Sequence, residues 1–435
     1  MSGALQAVFQ NLRSFLSIFG WFNSSTGGTR SYQGAVTKDS AGKIYSVGLI
    51  EGTSNNRQLT VSRFTSTGTA DLNVSIGGTF GVAGDYYGVT VDSSNNIYAF
   101  IAEGSNNGIQ LAKYNSSGTL QTQLKTTSSV RTIRPSQAII DASNNIFVAT
   151  YAVLSGCYGD TYNLALVKYT TSGTVSWAYY YNADSISSGV AYDSSGNLWV
   201  VGNSGSIGRF VKTNSSGTAT LIRSSTNTAF NGIAIDSSDN IYMVGIENSS
   251  SNNLATFSVS SAGAISWARK FVLGTLSTSK NIAVDSSGNI YVVGVFSASG
   301  APVYTVILKY NSSGTLQWQR TLKGPGNSLN YYLSGQDVTI SNGNVIITGY
   351  QNTTGVSNAW YGFTVSVPTD GSLTGTIVNG GNNYVYAVGT GTESAGQTVT
   401  ISTSGTNTTT TLSASNATTT LTSTSNQLTN TVTTF

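Results

Sequence analysis

One short phrase recurs seven times along the chain, which constrains it to build like units and stack them on one another. The copies read VTKDSAGKIYSVG around Asp39, VTVDSSNNIYAFI around Asp92, AIIDASNNIFVAT around Asp141 and VAYDSSGNLWVVG around Asp193. IAIDSSDNIYMVG around Asp236, IAVDSSGNIYVVG around Asp285 and a worn VTISNGNVIITG around Ser341 complete the series. Each is an apolar run, an Asp-led turn and an aromatic run ending near Gly. They return roughly every 50 residues, a period typical of propellers and solenoids.

A second turn follows within each unit. ILKYNSSGTLQWQRT is the clearest case, echoed by LAKYNSSGTLQTQ, LVKYTTSGTVSWA, FVKTNSSGTAT and FSVSSAGAISWAR. Asn311 can bond its own backbone two residues on and Gly314 can take positive φ, so the strand reverses there. Alternation in IYVVG and TVILKY is strand-like. Two hairpins supply four antiparallel strands, the content of one propeller blade. No helical periodicity interrupts them, which excludes a parallel sheet with crossover helices.

The expected fold is therefore all-β, a seven-bladed β-propeller over residues 30–382. Eight blades is the alternative, because TIVNGGNNYVYAVG (376–389) and VTISTSGT (399–406) echo both hairpins. Against it, the stretch from Gly371 to Asn379 is too short for an outer strand, a connection and a new inner strand. The repeats resemble the broad propeller-repeat family with the signature D-x-x-G-N-(I/L)-Y-V-x-G. That resemblance covers about four-fifths of the chain and implies a scaffold, not an activity.

Composition removes several functions. Only 9% of the 435 residues are charged, the formal net charge is +3, and the basic residues are scattered singly. A nucleic-acid partner needs them clustered. With no histidine and one cysteine, Cys157, the chain lacks the usual general base, zinc ligands and any internal disulfide. The DSSGN turns lack the alternating oxygen ligands of a calcium loop, so their Asp residues are expected to cap local backbone N–H groups. No catalytic residue, metal or cofactor is expected.

The two ends are different material. Residues 1–23 are strongly apolar with one charge, Arg13, and Leu5, Val8, Phe9, Leu12, Leu16 and Phe19 fall at helical spacing. The stretch has no basic n-region and is too interrupted to span a bilayer, so neither a signal peptide nor a membrane partner is expected. Its opening, MSGALQAVFQNLRSF, resembles the N-terminal peptide M-S-G-A-x-Q-A-V-F-x-N-x-R-S-F of several virion structural proteins of cyanobacterial myoviruses, matching everywhere but the open positions Leu5, Gln10 and Leu12. The resemblance implies a docking tag on a phage particle. Residues 1–29 are thus expected to form an anchor that meets other virion proteins through Leu5, Val8, Phe9, Leu12, Arg13, Phe15 and Phe19. Residues 383–435 are rich in Ser and Thr and alternate with Val, Ile and Leu. They are expected to form a β extension that covers a blade edge or pairs with a neighbouring subunit.

Hairpin turns fall on one face of a propeller and the remaining connections on the other. That second face varies from unit to unit and is expected to carry Tyr86, Tyr87, Tyr331, Tyr332, Glu51, Glu103 and Glu247. Aromatic rings stack on apolar sugar C–H groups and nearby polar groups take hydroxyls, so a host-surface glycan is the expected ligand. Together these features suggest a non-enzymatic virion protein, a tail or baseplate appendage, forming a homo-oligomer in the particle. A capsid decoration protein and a secreted bacterial lectin or polysaccharide-acting enzyme are the alternatives.

Overall fold

In the computed structural model the chain is built of strands. It describes residues 21–434 except 27–29, 52–56, 79–86, 104–107, 129–131, 157–158, 182–183, 249–251, 274–276, 298–300, 326–330, 353–359, 373, 380–381, 396–400, 404–408, 412–413, 419–422 and 426–428.

After β1 (Trp21–Thr26) the repeats lay down one antiparallel four-stranded run after another. The first is β2 (Arg30–Lys38), β3 (Ile44–Glu51), β4 (Arg57–Phe64) and β5 (Ala70–Gly78); the second is β6 (Tyr87–Val91), β7 (Ile97–Ala102), β8 (Gly108–Tyr114) and β9 (Leu120–Ser128). Next come β10 (Thr132–Ile140), β11 (Ile146–Gly156), β12 (Gly159–Tyr169) and β13 (Val175–Tyr181). β14 (Ile186–Tyr192), β15 (Leu198–Ser204), β16 (Ile207–Thr213) and β17 (Ala219–Ser225) follow, joined by a parallel bridge from Ile207 to Thr228 to the next run. That run is β18 (Thr228–Ile235), β19 (Ile241–Asn248), β20 (Asn252–Val259) and β21 (Ile265–Val272). β22 (Ser277–Val284), β23 (Ile290–Phe296), β24 (Tyr304–Tyr310) and β25 (Leu316–Lys323) precede β26 (Tyr332–Ser341), β27 (Asn344–Asn352) and β28 (Tyr361–Pro368). The last three lack a fourth strand of their own, and β1 supplies it by pairing with β28. First strands neighbour one another in chain order, and β26 returns to β2. The fold is all-β and propeller-like.

Each Asp-led turn is closed by local bonds. Asp285 Oδ1 accepts the N–H groups of Ser287 and Asn289, while Oδ2 accepts the Asn289 side-chain amide and the Tyr291 hydroxyl, all at 2.8–2.9 Å. The fourth residue is left-handed, as at Gly288 (φ 77°) and Asn144 (φ 60°), which explains Gly or Asn there. The spacing of Asp, Gly, Asn and aromatic in the repeat is thus a list of partners for one carboxylate. In the worn copy, Asn342 and Gly343 both take positive φ between paired Ser341 and Asn344, and a two-residue hairpin replaces the Asp turn.

Second strands are buried in continuous runs, along the whole of Ile290–Phe296 and through most of Leu198–Ser204 and Asn344–Asn352, rather than on alternate residues. Sheets cover them on both faces, so period-two alternation is erased. Apolar clusters fill the space between neighbouring sheets. Tyr291, Val293, Ile307, Val338, Val345 and Val365 make one of the larger ones, between β22–β25 and β26–β28. The smallest, Val36, Ile44, Phe64 and Ile346, lies where β26–β28 meet β2–β5.

The rest of the chain circles the molecule. β29 (Gly375–Asn379) and β30 (Asn382–Val388) form a hairpin that adds to β25; they start no sheet of their own. From there β31 (Thr392–Ala395) pairs with β21, β32 (Ile401–Thr403) with β17, and β33 (Thr409–Thr411) with β13. β34 (Ala414–Thr418) pairs with β9, β35 (Ser423–Ser425) with β5, and β36 (Thr429–Thr434) with β1. The Thr-rich tail therefore walks backwards around the outer edges, one antiparallel strand per sheet. Sheets extend beyond both expected boundaries, since β1 precedes residue 30 and β30 to β36 lie at 382–434. Threonine suits this belt because its branched Cβ favours extended backbone. An outer strand left bare would template pairing with other chains, and the belt covers it.

Candidate functional site

Hairpin turns gather on one face, and the starts of first and third strands with the ends of second strands lie on the other. On that second face the expected residues divide. Leu5, Val8, Phe9, Leu12, Arg13, Phe15, Phe19 and Tyr86 lie outside the described residues. Tyr87 is only 4% exposed and packs in an apolar cluster with Ala35, Tyr45 and Val89. Its ring fills the space beside Gly34, where a Cβ would come within 1.9 Å of it. It is a core residue, not a ligand-stacking one, because β6 begins there and turns its first side chain between two sheets.

The three glutamates are also committed elsewhere. Glu51 is buried and pairs with Arg57 at 3.0 Å and Arg30 at 3.4 Å. Glu103 pairs with Lys125 of the outer strand, and Glu247 with Lys270 at 3.0 Å. A carboxylate at the end of the second strand recurs with a cation from elsewhere in the same sheet, on β2 and β4 for Glu51 and on the fourth strands β9 and β21 for Glu103 and Glu247. These pairs offset the cost of burying charge. They belong to three different sheets and do not converge.

Tyr332 and Glu51 do come into one neighbourhood, at the junction of β26–β28 with β2–β3. Tyr332 stacks on Tyr350 with centroids 5.7 Å apart and planes 4° apart. Trp360 stands edge-on to both, at 5.1 Å and 5.6 Å, and Tyr32 meets Tyr350 edge-on at 5.4 Å. All four are half-buried. Tyr331 beside them is half-buried too, and its carbonyl accepts the Val303 N–H. Burial pushes the Tyr32 hydroxyl above its ordinary pKa against the opposing Arg30 charge. Arg30, one-third exposed, borders the group through its ion pair with Glu51.

Backbone bonds fix this junction. Ser31 donates its N–H to the Trp360 carbonyl at 2.8 Å and accepts the Gly362 N–H on its hydroxyl at 2.9 Å. The result is a rigid platform of ring faces and edges with a guanidinium at its border. Offset and edge-on rings of this kind keep one another fixed while leaving apolar faces for a flat partner. Tyr32, Tyr350 and Trp360 escaped the sequence reading, since they come from separate segments of chain.

Among the described residues no three His, Cys, Asp or Glu side chains converge as metal ligands would. The model of the beta-propeller repeat matches residues 272–295, the unit around Asp285. Among curated proteins no match is found. Among solved structures the chain is similar to a streptogramin B lyase, with 13% identity over 80% of this chain and 99% of that one and a TM-score of 0.48. An inactive variant of virginiamycin B lyase from Staphylococcus aureus with quinupristin gives 10%, 79%, 99% and 0.45. A polysaccharide lyase, an ulvan lyase, gives 8%, 80%, 96% and 0.46. One repeat of this all-β, propeller-like chain thus matches the beta-propeller repeat, and these likenesses carry nothing about its chemistry.

Proposed function

We propose that the chain is a non-enzymatic structural protein of a bacteriophage particle, a tail or baseplate appendage that carries a seven-bladed propeller toward the host surface. The blade count rests on the seven first strands that neighbour one another in a ring. What carries the reading is the N-terminal end. The peptide MSGALQAVFQNLRSF leads into β1, and β1 is held on one edge by β28 and on the other by β36. Pulling on a docked N-terminus therefore loads two ladders of backbone hydrogen bonds at once. A tether of that kind suits a body attached to a particle by its first residues.

Contact with the host is assigned to the aromatic platform of Tyr32, Tyr332, Tyr350 and Trp360. Ring faces take sugar C–H groups and Arg30 takes a hydroxyl or an acidic substituent. Deleting residues 1–15 should abolish incorporation into particles while leaving the melting curve of the isolated protein unchanged. Incorporation without these residues, or an N-terminus cleaved in purified particles, would overturn docking. On a glycan array, loss of a wild-type signal in both Tyr332→Ala and Trp360→Ala supports the platform. A blank wild-type array, or a signal both variants retain, removes it.

A further inference from the structure

Six of the seven first strands share a defect, which the described part of β6 lacks. Pairing with the second strand slips by one residue between Gln33 and Ala35, Pro135 and Gln137, and Ser187 and Gly189. It slips again between Phe230 and Gly232, Ser279 and Asn281, and Gly335 and Asp337. Each slip is a β-bulge, which aims one extra side chain away from the ladder. The skipped residues are Gly34, Ser136, Ser188, Asn231, Lys280 and Gln336. All six line one cavity of about 420 Å³, bounded by first strands from every sheet. That volume lies in the range of small-molecule sites.

The groups behind this ring are used by the frame. Gln137 Oε1 accepts the Val190 N–H at 2.8 Å, and Asn231 donates to the Ser279 carbonyl at 3.0 Å. Asp337, the only carboxylate among the residues lining the cavity, accepts three N–H groups at 2.6–2.8 Å. Lys280 differs. It has no hydrogen bond, ion pair or ring contact among the described residues. The other lysines there all do: Lys43, Lys125, Lys212 and Lys270 meet carboxylates, Lys38, Lys113 and Lys309 meet carbonyls, and Lys168 and Lys323 meet rings. An uncompensated ammonium half-buried in a polar cavity is a ready partner for an anion.

We infer that the axial cavity binds a small hydroxylated anion, of the class of sugar acids, with Lys280 on its carboxylate and Ser136, Ser188 and Gln336 facing its hydroxyls. The space exceeds what a bare inorganic anion fills, and the ring of hydroxyls and amides offers what a polyol needs. The site is separate from the aromatic platform and does not rest on the virion reading.

Titration calorimetry of the full chain with glucuronate, glucose and inorganic phosphate tests it. Saturable glucuronate binding is expected, at least tenfold tighter than glucose or phosphate. Lys280→Met should weaken it at least tenfold, Lys280→Arg should keep it within a few-fold, and Lys43→Met, which removes an exposed ion pair with Asp71 outside the cavity, should leave it unchanged. Matching melting curves exclude a folding defect. Absence of saturable glucuronate binding, or equal binding by Lys280→Met, overturns the site. Phosphate binding as tight as glucuronate overturns the part played by the hydroxyl-facing ring.

Discussion

The carboxylate of Asp337, in the last inner strand, accepts the backbone N–H of Val36, in the first, at 2.8 Å across 301 residues of chain. It also accepts the Val338 N–H and the Asn281 amide, so one buried group ties three neighbouring first strands. This is the junction with the smallest apolar cluster. Polar contacts support it: the Ser46 and Thr348 hydroxyls meet at 2.9 Å and Ser341 donates to the Gly42 carbonyl at 2.9 Å. Closure of the ring relies on directional bonds where the other junctions rely more on apolar burial.

Burial pushes the Asp337 carboxyl up to about 6, its three N–H donors notwithstanding. An unfolded Asp titrates near 4, so the folded state holds this proton more tightly. Its contribution to stability is present in full below about pH 4 and is lost as pH rises through 6. Relative to Asp337→Asn, the wild type should lose about 3 kcal/mol between those limits. Denaturant unfolding at pH 4, 5, 6 and 7 measures this, and parallel profiles for the two proteins would contradict it.

Asp285 should behave in the opposite sense. Burial raises its pKa, but the Asn289, Tyr291 and Ser287 donors outweigh that and hold it below the ordinary value. Its contribution is present above the unfolded pKa and is lost as pH falls through the folded one. Asp285→Ala should cost about 2–3 kcal/mol at pH 7, since several donors lose one acceptor. Asp141→Ala should cost about 1 kcal/mol less, because Phe147 stands where Tyr291 offers a hydroxyl. Equal losses in chemical denaturation would argue against the hydroxyl's part.

Gly314 sits against the indole of Trp267 in the preceding unit, and a Cβ there would come within 2.7 Å of the ring. Its φ of 77° adds backbone strain for any other residue. Gly205, at φ 59°, faces open space. Gly314→Ala should therefore cost about 2–4 kcal/mol and Gly205→Ala about 1 kcal/mol. Similar midpoints for the two variants would mean that the ring gives way freely.

Truncation after Gly391 removes β31 to β36 and bares the outer edges of β5, β9, β13, β17, β21 and β1. Exposed edges pair with other chains. The shortened protein should elute as higher oligomers in size-exclusion chromatography and be cut faster by protease. A monodisperse product with unchanged resistance would show that the belt has no protective role.

The Asp-led turns were legible in the primary structure because every partner of Asp285 lies within six residues of it. Strand content and repeat period followed from those turns. Tyr87 was misread for the opposite reason: nothing near it in sequence shows that two sheets close over its ring. Glu103 and Glu247 likewise pair with cations on strands two places away in the sheet, which local spacing does not reveal.

Local order thus sufficed for the unit, since a turn and a hairpin are short-range contacts that neighbouring residues can satisfy alone. Only the tertiary structure decided how units meet. A three-residue strand such as Ile401–Thr403 could pair with any outer edge, and its partner β17 is set by the position at which the preceding strand, β31, leaves β21. Likewise the four rings of the platform, and the six bulged residues around the axis, come from distant segments that meet only once the ring has closed.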